Sequence, residues 1–448
     1  MQPVDLELVT LAETSAVFTW YTGVPGTDDG LGRMVPAPAD GEVAYGTHPA
    51  RLTEVAYGDD APTPHHYVEV NGLEPGRTYY YQARSGGKPA AATVLAAGEA
   101  AGTPQPGGTF RFATPLPPPG RHLFSIALCN DLHLGETVAG LVGGLPEIKG
   151  IAQLAGRPPY PEIMAEAVVA DARRRGARYL LAAGDISDEG APADLARAKA
   201  LLDRFGAHQA DYFVARGNHD RAHAGAAYAG CGPGRWQGRD CFRDRFFPGD
   251  RPTYYSTDLD GLHLICLDTY DKPGGGGDAG GLSGGQLAWF EADLAAHRDQ
   301  PTIVVGHHPL ITPDHPLADT GATALEAGQA ASVLATYART PGVFLQHAGH
   351  THRNRRTVLP GAAHVTQQEV GAVKEYPGGF ALLRLHSGGY ALNFYKARDP
   401  LAREWSERSR QEINGLWPQI SLGSSVAHRN SVGARDLSGL GGTGRAAR

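Results

Sequence analysis

Short apolar runs separated by polar loops make up most of the chain, and their character changes at the proline cluster that begins with Pro115. Before it the runs are β-branched and aromatic: Ala16–Tyr21, Tyr67–Val70, Thr78–Gln82 and Thr109–Ala113. Such runs suit half-buried strands. The Gly, Pro and Asp clusters between them suit the turns of a small β-sandwich. The stretch Pro115-Leu116-Pro117-Pro118-Pro119 is stiff and extended, as a linker would be. After it the pattern becomes strand, loop, helix. The apolar runs at 124–129, 179–183, 212–215, 264–267, 302–305 and 343–345 read as strands covered on both faces. Between them Leu195, Ala198, Leu202 and Phe205 share one helical face. Leu287, Phe290 and Leu294 share another, behind Ser283 and Gln286 at capping-box spacing.

Strands alternating with helices predict an α/β domain over 120–398, ended by a hairpin of 380–385 with 390–395 about Ser387-Gly388-Gly389. Residues 1–114 form the preceding all-β unit and 115–119 the linker. Residues 399–448 are rich in Gly, Ser and Arg, with one predicted helix around Glu404–Ile413. They are expected either to be partly disordered or to wrap the α/β domain through Leu416, Trp417 and Ile420.

Composition adds bounds. A chain of 448 residues with 42% hydrophobic and 19% charged residues can hold two or three domains with a sizeable core. A formal charge of −7 gives no electrostatic footprint for a nucleic-acid polymer or an anionic membrane. No apolar run approaches the roughly 18 residues of a membrane span. Met1–Thr10 has neither a basic nor an apolar signal region, so the expectation is a cytoplasmic protein, or a secreted one if a leader has been removed. Oligomeric state is not legible. Four cysteines are too few for a disulfide scaffold. Cys129 and Cys266 end strand-like runs and read as buried thiols; Cys231 and Cys241 share one loop, where a bridge and a reduced pair both remain open.

The chemistry lies at the ends of the strands. Asn130-Asp131-Leu132-His133 comes after the first, Gly184-Asp185-Ile186-Ser187-Asp188 after the second and Gly217-Asn218-His219-Asp220 after the third. Gly306-His307-His308-Pro309 and Gly349-His350-Thr351-His352 come after two later strands. Ligands of open α/β sheets bind beyond the carboxyl ends of strands, so five such clusters converge. Asp131, His133, Asp185, Asn218, His307, His350 and His352 are seven donors, the number that two ions sharing one carboxylate require. Nitrogen and oxygen donors without thiolate suit Mn, Fe or Zn. Taken singly, Asp-x-His reads as a polar loop and Gly-Asp-x-x-Asp as a turn; order and placement together carry the signal. The glycines before Asp185, Asn218 and His350 fit a close approach of backbone to the site.

This order of motifs, spanning 131–352, resembles the signature of calcineurin-like metallophosphoesterases. The segment Gly284–Phe290 resembles a helix start common in them. The resemblance implies a four-layer α/β/β/α sandwich of two mixed sheets flanked by helices. It implies a dinuclear site, with Asp131, His133, Asp185 and His352 on the first metal. Asp185, Asn218, His307 and His350 would hold the second, with Asp185 bridging. It implies hydrolysis of a small phosphate ester by a metal-bridging hydroxide. His219 would aid the leaving oxygen and Asp188 would orient its ring. Arg216 matches a phosphate-contacting arginine of related phosphatases, with a solvated residue as the plain alternative. His308 is at most a substrate contact, and His347 points away. His65 and His66 read as surface residues.

Leu73–Tyr79 resembles a turn of fibronectin type III domains, with Trp20 then in a sandwich core. That domain before such a catalytic unit resembles purple acid phosphatases. Those enzymes, however, have a tyrosine ligand where Asp188 stands and a glycine where His133 stands. Asp-x-His and His-His-Pro look more like the cyclic-nucleotide phosphodiesterase branch, which makes a diester more expected than a monoester. Inserts at 134–160 and 221–251, the latter with Trp236, Phe242, Phe246 and Phe247, would either contact substrate or pack the loops. The glycines at 274–277 suggest a mobile loop. The alternatives are a non-catalytic metal-binding protein that docks through its β domain, and another metallohydrolase.

Overall fold

The computed structural model describes residues 1–28, 33–93, 100–141, 150–221, 223–224, 227–228, 240–249, 251–272 and 277–441. Trp236 and residues 274–276 of the glycine run lie outside these.

The apolar runs after the linker build two six-stranded sheets. The first runs in the order Tyr212–Ala215, Tyr179–Ala183, His122–Cys129, Gly379–His386, Gly389–Lys396 and Asn430–Ala434. Its first three strands are parallel. The second runs Tyr255–Leu259, Leu262–Cys266, Thr302–Val305, Val343–Ala348, Ala362–Glu369 and Arg355–Leu359, with its four central strands parallel. Facing side chains such as Ile126, Leu181, Leu264 and Leu345 form one buried core between the sheets. Helices Tyr160–Arg174, Pro192–Leu202 and Pro400–Ser409 cover the outer face of the first sheet. Helices Gly284–Ala296 and Ala327–Arg339 cover that of the second. The result is a mixed α/β fold in four layers.

The expected helical faces are buried: Leu195, Ala198, Leu202 and Phe205 on one, Phe290 and Leu294 on another. Ser283 caps its helix by accepting from Gln286 N. The Gln286 side chain does not return to Ser283 but bonds both the N–H and the C=O of Asp268. Only half of the capping box forms, because the glutamine satisfies a buried strand end instead.

The N-terminal residues form two sheets that enclose Leu8, Phe18, Trp20, Val68, Tyr81 and Phe112. Trp20 is a core residue, as expected. His66 corrects the reading as surface: it is buried, stacks on Trp20 at 4.6 Å and bonds Thr22. It sits on strand His65–Asn71, facing inward. His65 is half-buried. Phe242, Phe246 and Phe247 pack the core rather than meeting a substrate. Cys129 and Cys266 are buried free thiols, and Cys241 is disulfide-bonded; Cys231 lies outside the described residues. No described helix is long and apolar enough to cross a membrane.

The C-terminal residues wrap. Asn430–Ala434 pairs with Gly389–Asn393 as the sixth strand of the first sheet. Arg429 is buried, and its guanidinium donates to the carbonyls of Leu8, Val9, Leu422 and Ser425. Thr10 donates to Phe394 O at 2.6 Å and Asn393 to Leu11 O at 2.9 Å. The first strand of the β unit is thereby stitched to the first six-stranded sheet and the tail.

The pivot of this interface is Glu7, which accepts from Lys396 at 2.6 Å, Arg410 at 2.5 Å and Tyr376 at 2.5 Å. Burial opposes its ionisation, but Lys396 and Arg410 prevail and hold its carboxyl at about 2, below the ordinary 4.5. The folded value is below the unfolded one. The resulting stabilisation is therefore complete above about pH 4.5 and lost as pH falls towards 2. Glu7→Gln should cost about 3–5 kcal/mol at neutral pH by removing the carboxylate partner of buried Lys396 and leaving Arg410 with Asp5 alone. Urea denaturation across the acid range should also show the variant lacking this part of the wild-type acid sensitivity.

Candidate dinuclear metal site

Each predicted donor sits in a loop at the carboxyl end of a parallel strand, and the loops are tied together by backbone bonds. Asp131 N donates to Gly184 O at 3.0 Å, His133 N to Asp185 O at 2.9 Å and Gly349 N to His307 O at 2.9 Å. These turns need unusual backbone. Of the ten described non-glycine residues with positive φ, five are Asp131, His133, Asp185, His350 and His352 (54°, 47°, 49°, 67° and 49°). Left-handed residues of this kind cost roughly 1–3 kcal/mol each and cluster at functional sites. The expected glycines serve the same crowding. A Cβ on Gly217 would lie 2.1 Å from Asp185 Oδ1, and one on Gly349 2.6 Å from Asp131 Oδ2.

At the centre are two carboxylates, Asp131 and Asp185, 0% and 1% exposed. His352 Nε2 lies 3.0 Å and His133 Nε2 3.8 Å from Asp131 Oδ1. His307 Nε2 is 3.1 Å from both Asp185 Oδ2 and Asn218 Oδ1. His350 N donates to Asp131 Oδ2, and the His350 ring lies 5.1 Å from that of His307. All seven expected donors therefore meet. Burial resists ionisation of Asp131, but the imidazoles of His352 and His307 hold its carboxyl well below the usual range. Burial likewise pulls His307 and His352 down, yet the facing aspartates raise both to about 9. The site asks for positive charge between its donors.

The ring nitrogens turned away from the centre are fixed. Nδ1 of His307 donates to Ala183 O at 2.8 Å and Nε2 of His350 to Ala322 O at 2.8 Å. Nδ1 of His352 bonds Glu375 Oε1 at 2.7 Å, and Nδ1 of His133 lies 3.1 Å from Glu136 Oε2. Asp220 joins two loops by accepting from Ser187 N and Gly217 N. The residue set fits a pair of metal ions. Its donors are nitrogen and oxygen only, His133 Nε2 is buried with no hydrogen-bond partner, and Asp131 and Asp185 each belong to two metal-competent groups.

Three expectations are corrected. Arg216 does not reach toward a phosphate: it is buried, and its two terminal nitrogens are paired with Asp240 and Asp268. His308 is buried with Nδ1 on Thr269 Oγ1 and Nε2 on Asp278 O, both at 2.8 Å, so neither ring nitrogen is turned to a substrate. Asp188 holds His219 by its backbone, not its carboxylate: His219 Nδ1 donates to Asp188 O at 2.8 Å, while Asp188 Oδ1 is 3.7 Å away. His347 points away as expected, onto Cys129 O. Glu136, Glu375 and Asp220 escaped the sequence reading as partners. Glu136 stands three residues after His133, a hint; Glu375 is brought in from the loop after Ala362–Glu369, where nothing local marks it.

Residues 124–354, just over half of the chain, match the family described as Calcineurin-like phosphoesterase. Residues 1–95 match that described as Purple acid Phosphatase, N-terminal domain. A "Probable cyclic nucleotide phosphodiesterase" of Rhodococcus erythropolis is 30% identical over 186 residues, 41% of this chain and 54% of that protein. One of the same description from Synechococcus sp. is 28% identical over 240 residues, 54% of this chain and 73% of that protein. The chain thus spans about half the length of the first of these relatives. A solved dimetal phosphatase from Danio rerio shares 17% identity at a TM-score of 0.44, over 62% of this chain and 98% of its own.

Gly217→Ala should displace Asp185, lower stability by about 1–3 kcal/mol and weaken Mn²⁺ binding. Calorimetric metal titration alongside a thermal melt of the metal-free protein checks both.

Proposed function

The chain belongs to the calcineurin-like phosphoesterase family, and on that footing we propose that it is a metal-dependent hydrolase of a small phosphodiester. The observation that carries this reading is the convergence of five strand-end loops on two buried carboxylates ringed by imidazoles. Asp131, His133, Asp185 and His352 would hold one ion, and Asp185, Asn218, His307 and His350 the other, with Mn, Fe or Zn as the ions the donors suit. Bound there, the ions would supply Lewis-acid charge for the phosphoryl oxygens and lower the pKa of water.

The chain's own groups do the rest. Asp131 and Asp185 carry the negative charge that would be set against bound cations. The bond from His219 Nδ1–H to Asp188 O leaves Nε2 without a proton in the neutral ring, so His219 would deliver a proton to the leaving oxygen from Nε2 only as the imidazolium. His219 N, donating to Asp185 Oδ1 at 2.9 Å, locks that loop against the central carboxylate. The names of the two bacterial relatives favour a diester over a monoester. The disulfide at Cys241 favours an oxidising compartment, and so the secreted alternative.

Hydrolysis of bis-para-nitrophenyl phosphate and para-nitrophenyl phosphate tests the reading. Turnover should require added Mn²⁺, vanish on chelation, and favour the diester. Asn218→Ala should abolish it. His219→Ala should keep its metal but lose about 10²–10⁴ in kcat. No turnover of either ester by metal-loaded protein overturns the proposal.

A further inference from the structure

The imidazoles on the two sides of the centre are held differently. His307 and His350 donate their outward N–H to neutral backbone carbonyls, those of Ala183 and Ala322. His133 and His352 instead face carboxylates: Nδ1 of His133 lies 3.1 Å from Glu136 and 3.5 Å from Asp188, and Nδ1 of His352 lies 2.7 Å from Glu375. Those two glutamates come from separate loops and meet at one cation: Lys374 Nζ lies 2.5 Å from Glu136 Oε2 and 3.5 Å from Glu375 Oε2. All three residues are buried, with Lys374 only 5% exposed.

A buried lysine is costly unless paired. The surroundings are built to keep this one in place. Tyr160 donates to Glu136 Oε1 at 2.5 Å. Trp405, from helix Pro400–Ser409 of the C-terminal segment, donates its indole N–H to Lys374 O at 2.8 Å. Lys374 N in turn donates to Asp131 O at 3.1 Å, which ties the residue directly to the first cluster. A carboxylate behind an imidazole fixes its tautomer and raises its basicity, whereas a carbonyl mainly orients it. The arrangement therefore favours tighter binding on one side of the centre than on the other.

We propose that Glu136, Lys374 and Glu375 form a buried positioning relay that holds His133 and His352 as the paired imidazole ligands of the first ion, with the C-terminal helix as its backing. This rests on the reading that His133 and His352 share an ion. The relay acts only through the two histidines; none of its members touches substrate.

The test uses the full chain, stripped of metal and titrated calorimetrically with Mn²⁺, with metal content and electron paramagnetic resonance as second readouts. Wild type should take up two ions and show the spectrum of a coupled pair. Glu375→Gln and Glu136→Gln, which alter opposite arms of the relay without changing shape, should each weaken one ion by about 10–100-fold. The other ion should keep its wild-type affinity, and the spectrum should become that of an isolated ion. Lys374→Arg, which keeps the charge, should restore more of the pair than Lys374→Met. Unchanged affinities for both ions in the two glutamine variants overturn the relay alone. Equal loss of both ions overturns it too, since that marks a general structural role. A wild type that binds fewer than two ions overturns the underlying reading as well.

Discussion

Two buried carboxylates set the terms for this molecule. Asp131 and Asp185 sit at the seam where two sheets present their carboxyl ends, and neither is exposed to solvent. Buried charge must be paired or coordinated. Here the pairing comes from backbone amides of His219 and His350 and from imidazoles on three separate loops. Removing the two aspartates would leave the histidines with no reason to converge, and removing the histidines would leave two stranded anions. The five left-handed residues are the backbone cost of bringing these groups together. The hydrophobic core between the sheets offsets it by holding the strand ends rigid.

The same constraint explains why polar groups run so deep elsewhere. Behind His133 and His352 lies a second layer of charge, Glu136, Lys374 and Glu375, and behind that Trp405 of the C-terminal helix. Glu7 with Lys396 and Arg410 clamps the β unit to the same segment. The C-terminal residues touch both layers. They join a sheet as a strand, seal the domain interface through Arg429, and stand behind the metal-competent centre. Sheets that already need helices on their outer faces use this segment to complete the cover.

The strand and helix runs and the order of Asp, Asn and His clusters were legible in the sequence because each is a local pattern. Hydrophobic period sets the element, and a polar motif directly after a strand is carried to the strand's end whatever the rest of the chain does. Trp20 in a core and Ser283 at a helix start were legible for the same reason. What the sequence by itself determined is therefore the kind of fold and which seven side chains could meet. Orientation and pairing across long separations were decided only by the tertiary structure. Arg216 looked poised for phosphate until Asp240 and Asp268 closed on it, and His308 looked like a substrate contact until Thr269 and Asp278 took both nitrogens. Asp188 serves His219 through a carbonyl that every residue possesses, so no side chain could announce it. Glu375 meets His352, and Arg429 meets Leu8, because packing closes loops that local sequence does not connect; a hydrogen bond's partner is chosen by the space left when the sheets and helices have packed.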